Sequence, residues 1–290
     1  MSKIFVTTDA TSDIPKGHSA ENFKIIQMNY VLDDVEYACD PKSLDFDEFY
    51  RRVDAGSMPT TSLINTETAI EFFTPILKEG FDVLHICFSS ALSGTYNALK
   101  IAETELKEAF PDRKIAVVDS KAASGGEGFM VWQVLKKRAE GVSFEELLAF
   151  AEDVREHCVH FFTVQNLFHL YRGGRVSKTA AVIGSGLNLK PVLHVDTEGR
   201  LIPIQKVMGR KASLKALVDD YAIKSKGWKN DEVWVQHGSA PEDAEWVAAK
   251  IKEKTPDVNV VIDFIGPIIG THCGKGVLAV FFLGEDKIKP

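Results

Sequence analysis

The stretch VLHICFSSALSGTYNALKIAETELKEA, residues 83–109, decides how the first half of this chain folds. A short apolar run gives way to a turn of small hydroxylated residues, and then to a segment with helical apolar spacing. That order, strand then tight turn then helix, is the unit of a parallel α/β sheet. In such sheets ligands sit beyond the carboxyl ends of the strands. The turn carries Ser89, Ser90, Ser93 and Thr95. A helix N-terminus offers free N–H groups and partial positive charge, so added hydroxyls make a small pocket for a carboxylate or a phosphate. Simple N-capping by Ser93 or Thr95 is the alternative, although a cap uses only one hydroxyl.

Working outward, KIFVTTD (3–9) and IAVVDS (115–120) read as further buried strands, each ending in polar residues. Residues 23–40 read as strand, turn and strand, a hairpin. LDFDEFYRRVDAG is a helix stopped at Gly56, MPTTSLINT a loop, and TETAIEFFTPILKEG a helix. SGGEG reads as a turn before the helix FMVWQVLKKRAEG, and Ser143 with Glu146 forms a capping box. The second half differs. A strand and two short helices surround RGGR (172–175), a hairpin turns at Glu198–Gly199, and DEVWVQHG to VNVVIDFIG makes a βαβ pass. The expectation is an α/β protein of two domains: residues 1–160, an α/β domain with a parallel sheet, and residues 161–290, an α+β domain with a mixed sheet. The boundary is placed near residues 158–163.

Composition narrows the function. At 290 residues the chain is long enough for two domains of about 100–200 residues each. A net charge of −7 argues against nucleic acid or an anionic membrane as the main partner. The four cysteines lie far apart without a CxxC pair, so neither a zinc site nor a disulfide framework is expected. No apolar run approaches the ~18 residues of a membrane span. A cytoplasmic protein without stable membrane insertion is expected.

Several enzyme motifs fail on single residues. A nucleophile elbow around Ser93 needs glycine where Ala91 stands. His272 could serve as base with Asp119 or Asp263, but nothing in the sequence couples them. A phosphate loop at IGTHCGKGV fails at Ile269 and Gly276. Thr11 stands where an aspartyl phosphatase needs an acid, although Asp9 and Ser12 could buttress a pocket. HCVH (157–160) carries little weight as a metal pair, and the helix from Arg210 reads as a solvated basic face. Arg172 and Arg175 suit an oxyanion or a docking partner, or else a solvated turn.

Taken together, DATSDIP (9–15), TTS (60–62), SSALSGTYNA (89–98), VVDSKAASGGEG (117–128), LYRGGRVS (170–177), GLNLKPVL (186–193), KVMGRKA (206–212) and GPIIGTHCGKGVLAV (266–280) resemble the DegV family, in family order. Two places depart from the pattern: Leu63, Ile64 and Asn65 stand where Gln-Pro-Ser is frequent, and Cys273 where Thr is common. The resemblance implies a two-domain protein that binds one long-chain fatty acid between its domains and has no catalytic turnover or cofactor of its own. It implies Thr61, Ser93 and His272 as carboxylate ligands, with Ser62, Gly94, Thr95 and Thr271 supporting them. It also implies a partner kinase that phosphorylates the bound carboxyl group, for which Arg172 and Arg175 are possible contacts. The helix FMVWQVLKKRAEG and the segment FFTVQNLFHL are the expected tunnel lining. A stand-alone serine hydrolase, or a phosphotransferase related to dihydroxyacetone kinases, is the alternative.

Overall fold

The computed structural model describes residues 3–177 and 188–285. In the first half, β1 (Ile4–Asp9), β2 (Phe23–Ile26), β6 (Asp82–Cys87) and β7 (Ile115–Asp119) form a parallel sheet in the order β2-β1-β6-β7. Strands β1 and β6 are buried at every position, as continuous apolar runs covered on both faces should be. Helices α2 (Thr66–Lys78), α3 (Thr95–Ala109), α4 (Gly125–Ala139) and α5 (Phe144–His157) complete the crossovers. Ser143 caps α5 in the expected capping box with Glu146.

The expected hairpin over 23–40 is only partly present. Phe23–Ile26 joins the parallel sheet beside β1, and the hairpin is β3 (Asn29–Leu32) with β4 (Val35–Ala38). After α1 (Phe46–Asp54), the two-residue strand β5 (Thr60–Thr61) pairs with β3, opposite Tyr30 and Val31. The segment read as a plain loop thus contains a strand too short to show a period of two.

The second sheet is mixed, in the order β10-β9-β8-β13-β11-β12. Its members are β8 (Cys158–Thr163), β9 (Leu189–Val195), β10 (Leu201–Met208), β11 (Glu232–His237), β12 (Asn259–Phe264) and β13 (Leu278–Leu283). The β9–β10 hairpin and the parallel β11–β12 pass match the sequence reading. Helix α6 (Phe168–Arg172) follows β8, and the second short helix expected after RGGR lies outside the described residues. Helices α7 (Arg210–Lys224) and α8 (Pro241–Lys254) pack on one face of this sheet. A third short helix, α9 (Pro267–Cys273), runs into the IGTHCGKGV stretch and packs against α1 and α6.

Two glycines show how the sheets meet. The SGGEG stretch is the first turn of α4 rather than a turn before it, because its glycines permit close approach. A Cβ on Gly126 would lie 2.8 Å from His160 Nδ1 of β8, and one on Gly128 would lie 2.2 Å from the Ser12 carbonyl oxygen. Helix α4 therefore sits directly between the two sheets.

Candidate functional site

The carboxyl ends of the parallel strands face a cavity of about 1060 Å³, counting its mouth. Its walls come from both sheets. Phe88 and Leu92 belong to the β6–α3 connection, whereas the cross-strand pairs Phe162–Ala279 and His160–Phe281 belong to β8 and β13. Ile268 and Ile269 of α9 close another side. The segment FFTVQNLFHL contributes Phe162 and Leu170 to the lining, but FMVWQVLKKRAEG contributes nothing. Phe129, Met130, Val131, Val134 and Leu135 of that helix are core residues instead.

One part of the wall is polar. Strand β5 delivers Thr61, and the last turn of α9 delivers His272, with Thr61 Oγ1 and His272 Nε2 3.0 Å apart. Also on the wall, Ser93 Oγ lies 3.0 Å from Thr95 Oγ1 and accepts from the Thr95 backbone N–H at 3.2 Å. The Ile64 N–H donates to Thr95 Oγ1, which ties the β5 loop to the start of α3. The four hydroxyls of the SSALSGT turn divide into two jobs. Ser89 donates to the Gly199 carbonyl of the β9–β10 hairpin, and Ser90 donates to Asp119. Ser93 and Thr95 line the cavity.

Thr61, Ser62, Ser93, Gly94, Thr95, Arg175 and His272 all line this cavity. Thr271 does not; its hydroxyl is buried and donates to the Pro267 carbonyl within α9. Arg172 is also absent from the wall, and its guanidinium donates to the carbonyls of Pro59 and Thr271. It thereby holds β5 against α9. Arg175 donates to the carbonyls of Leu92 and Gly173. Both arginines are half-buried struts, which rules out the reading of a solvated turn.

Burial, followed by the charges of Arg175 and Arg172 and by His169, pushes His272 down to about 4. The imidazole is therefore neutral at pH 7. The unfolded chain takes up a proton near pH 6.5, whereas the folded one refuses it until about pH 4. This contribution to stability is present above the unfolded value and is lost as pH falls through the folded one. Relative to the wild type, His272→Asn should lose less stability between pH 6.5 and pH 4, by about 3 kcal/mol. Urea midpoints measured across that range check it, and parallel profiles would contradict it.

The hydrolase arrangement is absent. His272 Nδ1 is buried without a hydrogen-bond partner and faces Gly173. Asp119 is occupied by Ser90 and by the Lys121 N–H, and Asp263 accepts from the Lys16 N–H. No carboxylate among the described residues orients the imidazole. The HCVH histidines also separate: His157 stacks on Trp228 at the end of α5, while His160 lines the cavity. Among the described residues, the nearest approach to a metal set is Asp9, His85 and Cys87 inside the parallel sheet. Asp9 is held by the Phe88 and Thr11 N–H groups, His85 by Thr7, and burial pushes the Cys87 thiol well above its usual range.

Sequence reasoning missed His160, Phe281 and Ala279 as wall residues. Their alternation along β8 and β13 was the available signal, since a strand presents every second residue to one face.

The cavity thus combines largely apolar walls with neutral hydroxyls and an imidazole at Thr61, Ser93 and His272. The family model described as "Uncharacterised protein, DegV family" matches residues 3–285. The chain belongs to the DegV family. A DegV domain-containing protein of Clostridium perfringens is 40% identical over 293 residues, covering 99% of each chain. A Thermus thermophilus DegV family structure, described as fatty acid binding, superposes with a TM-score of 0.87 at 28% identity, covering 98% of this chain and 100% of the other. The fold is also that of the Streptococcus pneumoniae Fatty Acid Kinase (Fak) B3 protein loaded with linoleic acid. There the TM-score is 0.86 and the identity 21%, over 98% of this chain and 100% of that one. Among the described residues, no helix is long and apolar enough to cross a membrane.

Proposed function

We propose that this protein binds a long-chain fatty acid, such as palmitate or oleate, between its four-stranded and six-stranded sheets. The carboxylate rests on Thr61, Ser93 and His272, with Ser62, Gly94 and Thr95 around it. The observation that carries this reading is the cavity itself, which has largely apolar walls and a hydroxyl-rich patch at Thr61, Ser62, Ser93 and Thr95. The tail supplies the affinity. Each buried CH₂ contributes about 0.8 kcal/mol, so about fourteen give roughly 11 kcal/mol before association costs of several kcal/mol. The polar patch sets the orientation. A buried carboxylate is costly unless hydrogen-bonded, and two hydroxyls with a neutral imidazole can meet that need without clamping both oxygens.

Leaving the oxygens unclamped suits a carrier in the cytoplasm that presents its carboxyl group to a partner kinase for acyl phosphate formation, while performing no turnover itself. Arg175, on the cavity wall, would face the incoming phosphoryl group, and Arg172 holds the wall in place. Binding needs no cofactor. Mass spectrometry of lipid extracted from the purified protein tests the first part. Acyl species, or uptake of added palmitate or oleate, are expected; recovery of neither would refute it. The second part is tested by adding ATP and a fatty acid kinase catalytic subunit. Acyl phosphate should form only with both proteins present, and turnover by this chain alone would establish an enzyme instead.

A further inference from the structure

The cavity carries a second polar patch that the carboxylate reading leaves unused. Thr11, Ser124 and His160 line it where α4 begins. Thr11 Oγ1 lies between the carboxyl groups of Asp9 and Glu127, 2.7 Å from the latter, and its single proton goes to one of them. Ser124 Oγ donates to Asp13 Oδ2 at 2.5 Å. The patch at Thr61 and Ser93 bonds to none of these three acids. The protons of both hydroxyls are thus spent inward, and each Oγ can offer only lone pairs to the cavity. A methylene makes no use of an acceptor, whereas an O–H does.

The acids behind the patch matter as much. Burial raises Asp9, Asp13 and Glu127 above the usual carboxylate range, and each of Asp13 and Glu127 is raised further by the charge of Asp9. A region that already disfavours its own negative charges is hostile to another. The other patch has no carboxylate among the groups acting on His272 and has Arg175 beside it. The two patches therefore differ: one is backed by three buried acids, the other stands beside Arg175, which favours a carboxylate at the latter.

We propose that Thr11 and Ser124, with His160 alongside, form a hydroxyl-accepting subsite, so that the ligands include fatty acids hydroxylated along the acyl chain and exclude α,ω-dicarboxylic acids. This rests on the reading that the cavity holds a fatty acid, and the test separates the two. Dissociation constants are measured for palmitate, for a series of hydroxypalmitates substituted from the carboxyl to the methyl end, and for hexadecanedioic acid. A dry apolar tunnel would penalise any hydroxyl by about 10- to 100-fold. Here at least one isomer should match palmitate or bind up to about tenfold tighter. The diacid should bind at least about tenfold more weakly than palmitate.

In Ser124→Ala and Thr11→Val, the ratio of hydroxypalmitate to palmitate affinity should revert toward the tunnel penalty. Should either variant fail to fold, the wild-type series decides. Every isomer binding tenfold or more below palmitate, a diacid that binds like palmitate, or ratios unchanged in folded variants would overturn the subsite. Loss of palmitate binding itself would instead overturn the fatty acid reading.

Discussion

A Thr61→Val, Ser93→Ala double variant should bind palmitate at least about a hundredfold more weakly than the wild type. Each substitution removes one hydroxyl from a carboxylate that has left water. Hydrogen bonds to charged groups contribute about 1.5–3 kcal/mol each, so two account for at least about 3 kcal/mol. The apolar wall is untouched, so hexadecanol, which has the same tail and no charge, should lose far less. The fold pays a smaller cost, because Ser93 Oγ accepts the Thr95 N–H and Thr61 meets His272. Displacement of a fluorescent fatty acid by palmitate and by hexadecanol reads both numbers. Equal losses for the two ligands would place the carboxylate elsewhere.

Gly128→Ala should destabilise the protein by at least about 2 kcal/mol, although helix propensity alone favours alanine by about 1 kcal/mol. A Cβ at this position would lie 2.2 Å from the Ser12 carbonyl oxygen and 3.0 Å from Ile14 Cγ1. The obstacle is backbone, and that backbone cannot move freely. Ser12 sits between Thr11, which is tied to Asp9 and Glu127, and Asp13, which is tied to Ser124 and the Gly266 N–H. The loop that would have to yield also carries Thr11 to the cavity wall. Urea unfolding at constant slope measures the change. An unchanged or raised midpoint would show that α4 and this loop separate at little cost.

Much of the parallel sheet is legible because β1, β6 and β7 are apolar runs bounded by polar turns. Strand β2 was misread because it is half-buried at the sheet edge and lacks such a run. Of the proposed carboxylate site, Ser93 is legible in the sequence, where hydroxyls gather at a helix start. Thr61 and His272 are not legible except through family resemblance. Thr61 owes its place to a strand of two residues, and His272 to a seven-residue helix interrupted and followed by glycine. Their meeting at 3.0 Å joins positions 211 apart in the chain, which no local pattern encodes. The arginines of RGGR were visible as cations, but their carbonyl partners, and so their role as struts, were not. The second polar patch was foreshadowed only by Asp9 and Ser12 as possible buttresses, since its members come from three distant segments.

The account stands on a lipid lying in one direction between the sheets. Anomalous scattering from crystals grown with palmitate brominated at its methyl end tests that directly. The bromine peak should fall inside the cavity on the six-stranded-sheet side, near Phe162 or Phe281, with carboxyl density on Thr61 and Ser93. A bromine beside Thr61 and Ser93, or no peak within the cavity, would contradict it.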